Sequence, residues 1–297
     1  MMPARLVALT AAVLLACPHG ADAWGHDVHR FIMDRAIALL PAELRPLFER
    51  HRAIVVERSI DPDTWRTAGF AGEDPHHFLH FDWEGYGPYP FEGLPREYAA
   101  AVAAFGRARI EANGTLPWRV EEYHGNLRRA FEAYRRPSAL SRFNVLFFAA
   151  ALSHYVSDAH VPFHAALNYD GHLTGQHGLH ARFESVLFER FRTELMVAPR
   201  ALPPVGDPRA FIFGRLLEST RFVPALLRHD LTAIGSRDVY DDAYYQAFFT
   251  AARPVLERRL GESIASVAAM IAGAWEAGGR PAAPADPPPP PPQRRRR

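Results

Sequence analysis

The clearest chemical signal in the sequence is a pair of candidate ligands that occurs twice between residues 154 and 184. His154 and Asp158 are four residues apart, and His180 and Glu184 repeat that spacing. On a helix, side chains four residues apart lie on one face, one turn from each other. His164 lies between the two pairs. Imidazoles and carboxylates without thiols are the ligands that zinc takes in hydrolytic sites, so the pattern predicts a zinc-binding site.

The residues before His154 strengthen this prediction. Residues 143–152 (FNVLFFAAAL) are apolar on every side, which predicts a helix that is buried all round and ends before Pro162. A histidine and an aspartate buried at the end of that helix would each need polar partners, which a metal ion would supply. One such pair is equally consistent with a hydrogen-bonded pair in the core. Two pairs with His164 between them favour the metal.

A second group of candidate ligands lies in a segment rich in proline and glycine, which predicts the kind of loop that commonly carries functional sites. Spacing alone does not select among its members. They are Asp61, Asp63, Arg66, His76, His77, His80 and Asp82. Farther upstream, His29 begins a helix predicted to end before Pro41, where a lone histidine is typically a surface residue.

The first 23 residues have the pattern of a secretory signal peptide. Arg5 supplies the positive charge, residues 6–16 the apolar core, and residues 21–23 an A-x-A cleavage site. The apolar core is too short to span a membrane. We therefore predict a secreted or periplasmic protein whose mature chain starts at Trp24. In a competing interpretation the only cysteine, Cys17, is a lipidation site; otherwise it is removed with the signal, and no disulfide can form.

Composition and patterning predict an all-α fold. The chain has 297 residues, of which 48% are hydrophobic, and can bury a large single core. It shows no alternating strand pattern and no internal repeat, so we expect one multi-helical domain over residues 24–279. Helices are predicted over residues 94–113, 120–134, 181–196, 209–229 and 241–275, with Pro224 and Pro254 bending or breaking the last two. The proline- and arginine-rich residues 280–297 predict a disordered tail.

Charge argues against a broad basic surface for nucleic acid. The formal net charge is +1, but the last four residues are all arginine. Without them 30 basic residues stand against 33 acidic ones, a net charge of −3. The basic tail suits, at most, a transient contact with anionic lipids or envelope polymers, and no transmembrane segment is predicted. We expect a monomer.

Aromatic residues are concentrated in the loop over residues 81–95. Trp83, Tyr86, Tyr89 and Phe91 would suit a substrate cleft, where they would stack on a base or surround a choline cation. A loop held in place by its own aromatic side chains is an equally good interpretation of the same residues.

Taken in chain order, the candidate ligands resemble those of the zinc-dependent phospholipase C and S1/P1 nuclease superfamily. The resemblance covers residues 24 to about 190. It rests on Trp24 at the expected mature N-terminus, His29, D-x-x-R at 63–66, H-F-L at 77–79, H-x-x-x-D-x-x-x-x-x-H at 154–164 and H-x-x-x-E at 180–184. It implies a fold of the phospholipase C/P1 nuclease type with three zinc ions. His76 and His80 flank His77 and remain alternatives to it as the ligand.

The resemblance also implies a role for each matching residue. Asp63, His77, His154 and Asp158 would surround one zinc, His164, His180 and Glu184 a second, and Trp24, His29 and Asp158 the third, with Asp158 bridging two metals. Trp24 would bind through its free amine and carbonyl, which favours cleavage after Ala23. Arg66 would lie near the substrate phosphate. Asp63 would be a ligand only, or would also accept a proton.

The function that this resemblance implies is phosphodiester hydrolysis, in which a zinc-activated water attacks phosphorus. Glu184 as the final ligand, the short gap between His164 and His180, and the lack of cysteines in the mature chain favour a phospholipase C-like enzyme acting on phospholipid. An S1/P1-type nuclease acting on single-stranded nucleic acid is the alternative. A non-catalytic zinc-binding protein is the remaining one.

Overall fold

The protein is built from α-helices joined by loops and short 3-10 turns, as seen in a computed structural model that describes residues 25–70 and 72–283. That part of the chain contains no β-strand, and its buried hydrophobic side chains form one continuous core. The predicted all-α class and single domain are therefore confirmed.

The helices are α1 (His26–Ile37), α2 (Arg45–Arg50), α3 (Arg52–Glu57), α4 (Asp61–Thr67), α5 (Tyr98–Phe105), α6 (Arg107–Asn113), α7 (Leu116–Tyr134), α8 (Ala139–Asp158), α9 (Leu179–Ala181), α10 (Leu187–Phe191), α11 (Pro208–Thr220), α12 (Val223–Ile234) and α13 (Asp242–Ala277). A π-helical segment, Arg182–Val186, joins α9 to α10. The 3-10 turns are Arg58–Ile60, Asp74–His77, Glu84–Tyr86, Pro162–Ala165 and His172–Thr174.

Helix α8 is the central element of the fold. A capping box starts it: the Ser138 hydroxyl accepts a hydrogen bond from the Ser141 amide at 3.1 Å, and the Ser138 amide donates to the Ser141 hydroxyl at 2.9 Å. Every residue from 149 to 158 is buried. The predicted burial of the whole run 143–152 was wrong at its start, because Phe143 is 47% exposed. The helix ends at Asp158, ahead of Pro162, and so presents its last turn to the interior.

Helices α1, α7 and α13 pack against α8. Most of the C-terminal half of α13 is buried, and this helix runs through Pro254 without interruption, so the expected break there was wrong. Proline in a helix interior costs about 3 kcal/mol. Burying even a few large apolar side chains, at about 1.5–3 kcal/mol each, offsets that cost, and Leu256, Leu260 and Ile264 follow within three turns.

Three other helices differ from prediction in their bounds. The segment expected as one helix over 94–113 is two, because Gly106 takes a φ of +79° that ends α5. The helix expected over 209–229 is interrupted between α11 and α12, where Pro224 lies in the first turn of α12. The helix expected over 181–196 ends at Phe191 and contains the π-helical segment.

The ends of the domain were only partly predicted. The chain stays packed past the expected boundary at residue 279: the Trp275 indole donates to the Pro281 carbonyl at 3.0 Å, and Ala283 is buried. The predicted signal peptide, Trp24 and residues 284–297 lie outside the described residues. No helix in the described ranges combines the length and apolar character that a membrane span requires.

Candidate metal centre

Eight of the nine predicted metal ligands lie in the described part of the chain, and all eight are buried at the end of α8. They come from seven elements: His29 from α1, Asp63 from α4, His77 from the turn at 74–77, His154 and Asp158 from α8, His164 from the turn at 162–165, His180 from α9 and Glu184 from the π-helical segment. The ninth, Trp24, lies outside the described residues.

The eight side chains form three groups, and within each group one donor atom per residue lies within 4.8 Å of the others. The groups are His29, His154 and Asp158; Asp63, His77 and His154; and His164, His180 and Glu184. Their membership follows the predicted ligand sets closely. Two differences stand out: His154 belongs to the first group as well as the second, and Asp158, expected in both, belongs only to the first.

Asp158 contacts residues of two groups. Its Oδ1 is 3.4 Å from His29 Nε2, and its Oδ2 is 3.1 Å from His77 Nδ1 and 3.4 Å from His154 Nε2. The two oxygens of one carboxylate therefore face two different groups. Asp63 closes the second group, with Oδ1 at 3.7 Å from the facing nitrogens of both His77 and His154.

The third group is built where α9 passes into the π-helical segment. Glu184 Oε2 lies 2.9 Å from His180 Nε2 and 3.8 Å from His164 Nε2. Single-turn π-helical segments occur often at functional sites. This group adjoins the first, because His164 Nδ1 is 3.9 Å from Asp158 Oδ1.

Backbone carbonyls orient two of the histidines. His154 Nδ1 donates to the Ser59 carbonyl at 2.9 Å, and His164 Nδ1 donates to the His77 carbonyl at 2.5 Å. Each ring is thereby left with Nε2 as the unprotonated nitrogen, which is the arrangement usual for metal-ligating histidine. The segment after His77 also pairs through its backbone with the turn that carries His164. The amides of Leu79 and Phe81 donate to the carbonyls of His164 and Ala165 at 2.9 and 3.2 Å.

The donor set fits a bound metal. His29 Nε2, His180 Nε2 and Asp158 Oδ1 are buried and make no hydrogen bond within the described residues. His29 Nε2 and Asp158 Oδ1 lie 3.4 Å apart, and His180 Nε2 lies 2.9 Å from Glu184 Oε2, in each case without a hydrogen bond between the two atoms. A buried polar group whose hydrogen bonding is unsatisfied costs about 1–3 kcal/mol, so this arrangement needs an explanation. A cation between them supplies it. Imidazole and carboxylate donors without thiolate match zinc better than calcium or magnesium, which prefer oxygen alone.

Burial also sets the protonation of these groups. It lowers the pKa of His29 and His164 well below the usual value, and lowers that of His154 to about 3, so these rings are neutral and can coordinate at neutral pH. Burial, then the charges of Asp63 and Glu184, raises the pKa of Asp158 well above its usual value. A bound cation reverses that effect because it favours the carboxylate.

The structure distinguishes His77 from its neighbours. His76 turns away to hydrogen-bond the Thr115 hydroxyl at 2.7 Å, and His80 is stacked on Phe78 with ring centroids 4.5 Å apart. Neither belongs to a metal-binding group. His29 is 1% exposed, so the expectation of a surface histidine at that position was wrong.

A cavity of about 580 Å³ opens against the ligands. His77, His164 and His180 form part of its wall, and Arg66 also lines it. The remaining wall is largely aromatic or apolar: Phe78, His80, Ala112, Phe163 and Tyr169, with Thr67 and Asp74. A catalytic metal site needs an open side of this kind.

The aromatic loop over residues 81–95 does not line this cavity. Tyr86 and Phe91 are buried, and Trp83 packs edge-on against Tyr86 with centroids 4.9 Å apart. Tyr89 stands edge-on to Phe91 at 5.7 Å. The interpretation of a loop held by its own aromatic side chains is therefore confirmed, and none of its four rings lies on the wall of the cavity beside the metal ligands.

Sequence reasoning missed one charged residue at the site. Glu73 is 6% exposed, and its Oε1 lies 3.7 Å from His77 Nε2, on the side of the ring away from Asp158. Its signal in the sequence is the E-x-x-x-H spacing from 73 to 77. That spacing was obscured by the proline at 75, which argues against a helix there.

Comparison with known proteins adds no family to this picture. No protein-family model and no curated protein matches the chain.

Proposed function

We propose that the protein is a secreted zinc-dependent phosphodiester hydrolase, with phospholipid as the first candidate substrate. The observation that carries the proposal is the set of three adjoining groups of buried imidazoles and carboxylates beside a cavity that also contains Arg66. A set of this kind needs cations, and a guanidinium next to it suits a substrate with phosphate oxygens.

Each zinc would be held by one of the three groups, with Asp158 shared between two of them and Trp24 completing the first. Zinc bound there supplies a Lewis acid and lowers the pKa of a coordinated water. The open cavity favours this enzyme over a non-catalytic zinc-binding protein, which has no need of a free approach to its metals.

The roles of Arg66 and Asp63 follow from their placement. Arg66 Nη2 is 3.5 Å from Asp63 Oδ1, so the buried carboxylate holds the guanidinium at the cavity wall, where it would bind and orient the phosphate. Asp63 is fully buried and is not among the side chains that line the cavity. That placement favours a ligand and anchor for Arg66 over a proton acceptor.

Removal of metal is the direct test. Exhaustive dialysis of the mature protein against EDTA should abolish hydrolysis of bis(p-nitrophenyl) phosphate, and added zinc should restore it, because the proposed chemistry depends on the cation. Elemental analysis before and after dialysis gives the zinc content. Parallel assays on lecithin and single-stranded DNA identify the substrate class. Full turnover by protein without detectable zinc would refute the proposal.

A single-strand nuclease is the second candidate, and one feature of the cavity favours it. His80 lies between two rings, stacked on Phe78 and nearly parallel to Tyr169, at an interplanar angle of 3° and 5.5 Å between centroids. Tyr169 is 40% exposed. Exposed flat rings beside a phosphate site are what an unpaired base stacks on.

If the substrate is a single strand, Tyr169→Ala should lower kcat/KM for single-stranded DNA by about 10- to 100-fold, the effect of losing one stacked base. Hydrolysis of bis(p-nitrophenyl) phosphate, whose nitrophenyl rings offer a smaller stacking surface than a purine base, should fall far less. Tyr89→Ala is the matched control, because Tyr89 is similarly exposed but lies outside the cavity wall. Equal activity of the two variants on DNA would argue against the nuclease.

A further inference from the structure

The carboxylate of Glu73 is held rigidly between two helices. Its Oε2 accepts a hydrogen bond from Arg119 Nη2 of α7 at 2.9 Å, and its Oε1 accepts one from the Tyr155 hydroxyl of α8 at 2.5 Å. The side chain is almost completely buried. A carboxylate in this environment is a fixed feature of the interior, since its two partners belong to the two helices that pack most extensively on each other.

The imidazole of His77 needs an acceptor on the side that faces Glu73. His77 Nδ1 points into the metal-binding groups, 3.1 Å from Asp158 Oδ2, so a metal would bind Nδ1 and the ring proton would lie on Nε2. Nε2 is buried and makes no hydrogen bond within the described residues. Glu73 Oε1 lies 3.7 Å away, and a small rotation of the His77 ring brings Nε2 within hydrogen-bonding distance of it.

His77 is unlike the other four histidines in this respect. His29, His154, His164 and His180 all direct Nε2 at the carboxylates of their groups. Two of them, His154 and His164, donate Nδ1–H to backbone carbonyls. Within the described residues, no backbone carbonyl accepts a hydrogen bond from the ring nitrogen of His77 that points away from the metal-binding groups. The carboxylate of Glu73 lies opposite that nitrogen instead.

We propose that Glu73 is a positioning residue of the metal centre, which accepts the Nε2–H proton of His77 and so holds Nδ1 toward the metal. The proposal rests on the proposed function, because it requires a metal in the group that contains His77. A carboxylate behind a metal-ligating histidine fixes the ring orientation and the tautomer, and it makes the coordinating nitrogen a stronger donor. Arg119 and Tyr155 would then keep Glu73 itself in place.

Metal affinity and the spectrum of the cobalt-substituted protein test this directly. Glu73→Gln keeps the size of the side chain but loses the charge, and its one amide oxygen is already in demand from Arg119 and Tyr155. We expect about 10- to 100-fold weaker cobalt binding in competition with a chelator, together with an altered visible d–d spectrum. The matched control is Glu122→Gln, which removes the exposed partner of the same arginine, 3.0 Å from Arg119 Nη1. Glu122→Gln should leave both the cobalt affinity and the visible spectrum unchanged.

A second variant separates positioning from a purely structural ion pair. Arg119→Met removes the ion pair but leaves the Glu73 carboxylate beside His77 and Tyr155. We expect it to lower the melting temperature of the metal-free protein while changing cobalt affinity far less than Glu73→Gln does. Equal losses of cobalt affinity in the two variants, or none in Glu73→Gln, would overturn the proposal.

The wild-type protein provides a test that needs no folded variant. Histidine ¹⁵N NMR of the zinc-loaded protein should show one ligand with its proton on Nε2, which is His77, among ligands with the proton on Nδ1. A uniform set of Nδ1–H ligands would overturn the positioning role. Failure of the proposed function would look different: the wild-type protein would bind neither cobalt nor zinc, or would bind zinc without hydrolysing bis(p-nitrophenyl) phosphate.

Discussion

Asp158→Asn is expected to reduce phosphodiester hydrolysis far more than His160→Ala does. The two oxygens of Asp158 face two groups of ligands, so the change weakens two sites at once. Asparagine offers one oxygen and an amide group whose hydrogens repel a cation. Changes one shell farther out already cost about 10- to 100-fold, so kcat/KM should fall by more than about 100-fold. Zinc content per chain, measured alongside the kinetics, should fall too.

His160→Ala is the control for this prediction. His160 is also fully buried near the end of α8, but its ring faces the opposite side, where Nδ1 donates to the Val156 carbonyl at 2.8 Å and Nε2 lies 3.0 Å from the Ser266 hydroxyl. Its loss should lower the melting temperature and leave zinc content and activity per folded molecule nearly intact. Equal losses of zinc in the two variants would mean that Asp158 does not face the metals.

The helical ligands could be predicted because their geometry is local. Four-residue spacing places His154 beside Asp158 on any helix, and the apolar run before them shows that the helix is buried. His180 and Glu184 follow the same logic, although the observed segment is partly π-helical. For these pairs, the periodicity of a helix is enough to predict that the two side chains lie next to each other.

The choice among His76, His77 and His80 depends on contacts between distant segments. His77 faces α8 because the amides of Leu79 and Phe81 bind the turn that carries His164, more than 80 residues later. The spacing of the histidines within residues 76–80 does not predict that backbone pairing with the turn at 162–165. The resemblance to a known ligand order, and not periodicity, selected His77.

Glu73 was missed for a related reason. Its partners, Arg119 and Tyr155, come from two different helices, and its importance is visible only once both lie beside the turn at 74–77.

The aromatic loop over residues 81–95 is the opposite case, in which the sequence suggested a functional role for residues that pack in the core. An aromatic composition such as that of Trp83 and Tyr86 suggests a surface that binds a ligand. In the structure these rings pack into the hydrophobic core instead, so their presence needs no ligand to explain it.

The second large effect is expected at the N-terminus: removal of the predicted signal peptide should switch on the proposed hydrolysis. If Trp24 binds zinc through its free amine and carbonyl, the first group of ligands cannot be completed while residue 23 is still attached, because an amide nitrogen is a poor zinc ligand at neutral pH. Protein that begins at Trp24 should be active, and protein that retains residues 1–23 nearly inactive. A single methionine left before Trp24 should have a similar effect.

The structure gives this prediction a specific readout. His29 and Asp158 stand 3.4 Å apart in a group that has only His154 besides them within the described residues, so this group depends most on a further ligand. Zinc per chain should therefore fall by about one in the extended forms, with the other groups still filled. N-terminal sequencing identifies each form, and elemental analysis gives its zinc content. If the extended protein bound as much zinc and turned over as fast as the processed one, the terminal chelate would be wrong and only the helical and loop ligands would hold metal.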